Sequence, residues 1–155
     1  MPKESQPAHD EGGCYATAMR KASRRLTQLY DDALEQSGLR STQLAILAEL
    51  DRRSSEPPTM AELANALVLD RSALGHNLRP LERDGLVEIL EGERDRRRRN
   101  VTLTSQGSAK FQEAKKLWQV AQARFLEVFG RPDGLRLRAT LLRIANDDRL
   151  GTLKD

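Results

Sequence analysis

The chain has 155 residues, 38% of them apolar and 32% charged, with a formal charge of +3 and a single cysteine. That length holds one domain, or one domain with an arm that needs a partner, and the apolar share excludes disorder along the whole chain. No apolar stretch reaches the roughly 18–20 residues of a membrane span, and one cysteine excludes an internal disulfide or a cysteine-based zinc cluster.

Residues 1–13 are polar, with two prolines and a Gly-Gly pair, and read as a flexible arm. They hold no apolar run of the kind a secretory signal requires, so a cytoplasmic, reducing compartment is expected. From Cys14 to Gln36 the apolar positions Ala18, Ala22, Leu26, Leu29, Tyr30, Ala33 and Leu34 step by three and four, which predicts an amphipathic helix stopped at Gly38. A second helix is expected over Ser41–Arg53, with Leu44, Leu47, Ala48 and Leu50 buried, before the break at Ser54 to Pro58.

Thr59-Met60-Ala61-Glu62 has the Thr-x-x-Glu form of a capping box, in which hydroxyl and carboxylate each satisfy an orphan N–H. It opens a short helix to about Leu67. Asp70 caps the next helix, which carries Leu74, Leu78 and Leu81 on one face and ends near Asp84-Gly85. Two short helices about three residues apart, with Leu63, Ala64, Leu67, Leu74 and Leu78 inward, form a helix-turn-helix. The turn at Val68-Leu69 lacks the usual glycine, and Pro80 is expected to loosen the last turn of the second helix.

Leu86–Leu90 and Asn100–Thr104 read as the two strands of a hairpin, joined by a loop at Glu91–Arg99 that packs five arginines into Arg94–Arg99. Ser105 is placed to cap a long helix to about Phe129. Gly130-Arg131-Pro132-Asp133 breaks it, and a last helix follows over about 133–148. The expected architecture is mainly α with a small β-hairpin. A winged helix-turn-helix domain at 41–104 is flanked by an N-terminal helix at 14–36 and C-terminal helices at 105–150. The outer helices hold more apolar residues than one stripe requires, among them Leu117, Trp118, Val120, Phe125 and Phe129, so a homodimer built on them is expected.

Charge is unevenly spread. Residues 1–70 carry eight basic and eleven acidic side chains, 71–104 eight and six, and 105–155 ten and six. Turning the leucines of the Asp70–Asp84 helix inward leaves Arg71, Ser72, Gly75, His76, Arg79 and Arg83 outward, with Ala73 and Asn77 at the margin. Ser72 and His76 suit base edges, Arg71 or Arg79 can take a guanine or a phosphate, and Gly75 lets the backbone come close. The competing reading is a solvated face. Aromatics are only 4%, too few for a single-strand stacking platform.

The run Asp95-Arg96-Arg97-Arg98-Arg99-Asn100-Val101-Thr102-Leu103-Thr104-Ser105-Gln106-Gly107 resembles the wing signature of the multiple antibiotic resistance regulator (MarR) family, with its Asp-x-Arg and Val-x-Leu-Thr-x-x-Gly. Leu69–Leu74 and Asn77–Val87 are similar to that family's recognition helix and first wing strand. The resemblance covers roughly Cys14 to Asp148. It implies a homodimeric regulator of transcription, usually a repressor, that binds a pseudo-palindromic double-stranded operator and is released by a small ligand or an oxidant. It assigns Asp95 and Arg97 to the Asp-x-Arg pair, the Asp orienting the Arg by a charge-assisted bond toward a minor groove. Arg98 joins the expected DNA set, although alternation along a hairpin keeps Arg96, Arg98 and Arg99 from all facing DNA.

By the same resemblance, an effector pocket lies where the terminal helices meet the winged domain. Tyr15, Met19, Leu44, Leu47 and Trp118 are its candidates, for a small aromatic or amphipathic effector. A peroxide-sensing branch of the family places a cysteine early in the first helix. Aligned on Arg24, Thr27 and Tyr30, that position falls at Ala16, two residues past Cys14, and two partner tyrosine positions fall at Arg20 and Leu44. Cys14 is the candidate redox residue all the same.

No cofactor or metal is expected, because His9 and His76 have no ligand neighbours in sequence. Catalysis is not expected either. There is no Gly-rich phosphate loop, HExxH or Ser-centred elbow, and Asp31-Asp32 and Asp147-Asp148 point apart on their helices. The alternative to a DNA-binding regulator is a winged-helix interaction module whose arginines bind an acidic protein partner.

Overall fold

The computed structural model describes residues 13–153 apart from Glu93, Arg94 and Arg96. The elements run α1 (Tyr15–Leu34), α2 (Ser41–Arg52), α3 (Met60–Ala66), α4 (Arg71–Arg83), β1 (Val87–Glu91), β2 (Arg99–Leu103), α5 (Ser105–Phe129) and α6 (Arg131–Ala145). The expected arm lies outside the described residues except for Gly13, as does His9. α1 stops with its last apolar position, Leu34, two residues before the expected end at Gln36, and tightens into a 3₁₀ turn at Glu35–Ser37, closed by Gly38 at φ +73.

The winged domain is built around α2, which packs on α1, α3, α4, α5 and β2. That central place buries more of α2 than one stripe. Ile46, absent from the expected inward set, is fully buried beside Leu44, Leu47 and Leu50. Leu63 of α3 and Leu74, Leu78 and Leu81 of α4 close the same core with Val87 and Val101 from the hairpin. Burial of each such side chain contributes about 1.5–3 kcal/mol.

The strands pair antiparallel with Val87 opposite Leu103 and Glu91 opposite Arg99. The segment read as a plain break adds to them. Pro58 accepts a hydrogen bond from the Val101 N–H at 2.9 Å, and Thr59 bridges Asn100.

Three local expectations are corrected. Thr104, not Ser105, caps α5. Its hydroxyl accepts from the Gly107 N–H at 2.9 Å and donates to the Gly85 carbonyl at 2.6 Å, tying helix start to hairpin base. Gly107 must be glycine for the same crossing, since a Cβ there would lie 1.9 Å from the Leu86 carbonyl oxygen. Pro80 does not loosen α4. The Asp84 N–H bonds to the Pro80 carbonyl at 3.0 Å, and the acceptor freed by the missing N–H belongs to exposed His76. The last helix also begins at Arg131 rather than Asp133, because Pro132 sits in its first turn, where an N–H is not needed.

The terminal helices look different. Along the first half of α1 every residue is exposed, Tyr15 at 90%, and α5 and α6 leave Val120, Val128, Phe129, Leu135, Leu142 and Ile144 exposed. α6 packs on α5 through Gly134, where a Cβ would meet Leu126 at 2.7 Å. Among the described residues, no helix is long and apolar enough to cross a membrane.

Candidate nucleic-acid interface

The residues of the interface are set by capping at two helix starts. Asp70 accepts from the Ala73 N–H at 2.7 Å and opens α4. Thr59 and Glu62 complete the capping box of α3, the Thr59 N–H donating to Glu62 at 2.7 Å. Between them, Val68 N–H bonds to Asn65 and Leu69 N–H to Ala64, a Schellman turn whose left-handed position is Val68 at φ +52. Glycine or asparagine ordinarily fills that position. A β-branched residue there costs on the order of 1–3 kcal/mol. The departure noted in the sequence is therefore a strained turn.

With its leucines buried, α4 presents Arg71, Ser72, His76, Arg79 and Arg83 to solvent, and Ala73, Gly75 and Asn77 half-buried at the flank. Two of these are engaged within the protein. The Asn77 amide donates to the Ala73 carbonyl at 2.9 Å, and Arg83 pairs with Asp84 at 3.0 Å. Gly75 has nothing within 4 Å of where a Cβ would stand. The protein itself does not need that glycine, which leaves open room on the helix face.

Arg71 and Gly75 of α4, Thr59–Glu62 at the start of α3, and Arg97, Arg98 and Arg99 of the wing line one open groove of about 700 Å³. Three consecutive arginines reach it because Arg97 lies in the turn and strand alternation starts only at Arg99. Arg96 lies outside the described residues. Within the Asp-x-Arg pair the Asp95 carboxylate accepts from the backbone N–H of Arg97 at 3.0 Å, a bond that shapes the turn. The loop is closed at its neck by Gly92 N–H to Arg98 O at 2.6 Å. Glu62 was not among the sequence candidates. Its capping-box place pointed to helix initiation, and nothing local showed that α3 begins beside the wing.

A separate apolar cavity of about 290 Å³ lies between α1, α2 and α5, walled by Tyr30, Leu44, Ala48, Phe111 and Trp118 with Lys115 at its edge. Of the expected pocket residues, Leu44 and Trp118 line it. Leu47 is sealed in the core, and Tyr15 and Met19 stand on the exposed part of α1. Tyr30 and Phe111, outside the expected set, also line the cavity. The Tyr30 hydroxyl donates to Gln122, and partial burial pushes its pKa up. Cys14 is exposed at the start of α1, where the Thr17 side chain and then the backbone N–H groups of Thr17 and Ala16 draw its thiol below the ordinary value. Among the described residues, no cluster of three or more His, Cys, Asp or Glu could hold a metal ion.

A model of the MarR family matches residues 37–98, from the turn after α1 to the loop of the wing, short of β2. The transcriptional regulator MosR of M. tuberculosis, solved in complex with DNA, is 34% identical over 91% of this chain and 100% of its own, with a TM-score of 0.79. The chain belongs to the MarR family. The transcriptional repressor CouR, known from Rhodococcus jostii RHA1 and solved on a 23-mer DNA duplex, is 27% identical, covering 86% of this MarR-family chain and 93% of its own, with a TM-score of 0.77. The transcriptional activatory protein BadR of Rhodopseudomonas palustris is 34% identical over 100 residues. That match takes in 63% of this chain and 53% of BadR, so the chain spans about half the length of this curated relative.

Proposed function

We propose that the chain is a cytoplasmic, homodimeric regulator of transcription, without catalytic activity, that reads a pseudo-palindromic operator in double-stranded DNA. One observation carries this reading: Arg71 and Gly75 at the start of α4 share a single groove with the wing arginines, while the leucines of α4 are sealed in the core. An α4 helix from each protomer would enter successive major grooves, and each wing would reach the flanking minor groove, where arginine is favoured by the negative potential. Arg71, Ser72, Ala73, Gly75, His76, Asn77, Arg79 and Arg83 form the helix side of the contact, and Asp95, Arg97 and Arg98 the wing side. The DNA complexes of MosR and CouR support the assignment by family.

Repression is the proposed sign, as for CouR, whereas BadR is named an activator. An aromatic or amphipathic effector in the Tyr30–Leu44–Trp118 cavity would release DNA by favouring one dimer geometry. Cys14 oxidation is the alternative trigger, and Cys14→Ser separates the two, leaving only ligand-driven release intact.

Selection of binding sites from random duplexes with the purified protein tests the central claim. Enrichment of a two-fold sequence with half-sites about one helical turn apart is expected. A pool with no enriched sequence, beside tight binding to an acidic polypeptide, would overturn it in favour of an interaction module.

A further inference from the structure

Arg98 is held by its backbone on both sides. Its carbonyl accepts from the Gly92 N–H at 2.6 Å, and its own N–H donates to the Asp95 carbonyl at 2.9 Å. Only its side chain is left to choose a partner. Arg98 and Glu62 together border both clefts that flank the wing, the groove shared with α4 and a second cleft beneath the hairpin. Glu62 is itself fixed, accepting from the Thr59 N–H at 2.7 Å and lying 3.8 Å from the Arg53 guanidinium. A carboxylate thus stands in the groove among the four arginines that line it.

We propose that Glu62 is a positioning residue that acts on DNA through Arg98, holding the guanidinium toward α3 in the free protein and competing with duplex phosphate for it. The inference rests on the DNA-binding reading above. Bonds from Thr59, and then the charges of Arg53 and Arg98, hold the Glu62 carboxyl below its ordinary value, so the competitor stays ionised across the neutral range. Binding to phosphate is driven by cation release and is sequence-independent. A wing whose arginine is partly neutralised from within grips any duplex less tightly.

The test is a double-mutant cycle of Glu62→Gln and Arg98→Ala on the full chain, read by fluorescence anisotropy with a random duplex across a salt series. Gln keeps an oxygen that accepts the Thr59 N–H, so α3 stays capped while the charge is removed. Binding by E62Q should tighten about three-fold or more at low salt, with a salt slope steeper by about 0.9, the value of one further phosphate contact. In the R98A background that gain should vanish. Unchanged or weaker binding by E62Q overturns the proposal, as does a gain that survives in R98A, which would mean direct repulsion of phosphate. Should melting curves show E62Q unfolded, Glu62→Ala must give the same cycle. A wild-type protein that binds no duplex sinks the DNA reading as well, whereas the other adverse outcomes sink only this one.

Discussion

The winged domain and the terminal helices carry similar amounts of apolar sequence and treat it in opposite ways. In the winged domain the leucines of α2, α3 and α4 are almost wholly removed from water, whereas α1, α5 and α6 leave Tyr15, Val128, Leu135 and Leu142 exposed. The first region satisfies itself within one chain. The second leaves an apolar surface that the proposed homodimer would cover. Self-sufficiency where DNA is read, and dependence where two readers must be spaced, is the division of labour expected of a symmetric operator-binding dimer.

The sharpest way to break this contrast is a pair of truncations. Leu78→Ala in the core should cost about 2–5 kcal/mol in urea unfolding at every protein concentration. Leu135→Ala should instead act through assembly, making Tm more dependent on concentration and shifting gel-filtration mass toward the monomer. Equal, concentration-independent losses would erase the distinction. Next in size, Gly107→Ala forces a methyl against the Leu86 carbonyl and should destabilise the hairpin–α5 junction by about 1–3 kcal/mol in the same assay.

The joint between the two regions has a pH signature. Asp31 of α1 accepts from the Ser41 N–H at 2.7 Å and from Arg40 at 3.3 Å. Partial burial pushes its carboxyl up, and the bonds from Ser41 and Arg40 outweigh that and hold it below the ordinary value. A pKa lower in the folded than in the unfolded chain stabilises fully above about pH 5, and the stabilisation is lost as pH falls through the folded value. Asp31→Asn should therefore lower Tm at neutral pH and flatten the decline of Tm between about pH 5 and 3. An acid limb of unchanged steepness would remove Asp31 from this role.

The smallest effects sharpen the DNA side. Gly75→Ala should stabilise the fold by about 0.5–1 kcal/mol, since alanine suits a helix interior and has room here. It should weaken operator binding nonetheless, because the free space is where a duplex would approach. Val68→Gly relieves a left-handed valine and should raise Tm by a few degrees or less, the gain offset by glycine's greater freedom in the unfolded chain. Stability and affinity moving together in Gly75→Ala would place the glycine's purpose inside the protein.

What the sequence determined by itself was local. Periodicities of three and four set the helices, Thr59 and Asp70 marked the starts of α3 and α4, and the leucine stripe at 74, 78 and 81 decided which face of α4 would be left outside. These are contests between near neighbours, settled by capping bonds and by burial of a stripe. Tertiary structure decided what distant segments do to one another. It moved the α5 cap to Thr104 because the hairpin base needed that hydroxyl, turned Asp95 toward a backbone amide, and brought Tyr30 and Phe111 to a cavity wall. It also set Glu62 and Arg98, thirty-six residues apart in the chain, on the walls of the same two clefts. A carboxylate's sequence neighbours show which helix it can cap, but the cation it meets across a groove depends on how the elements pack, and no local pattern records that.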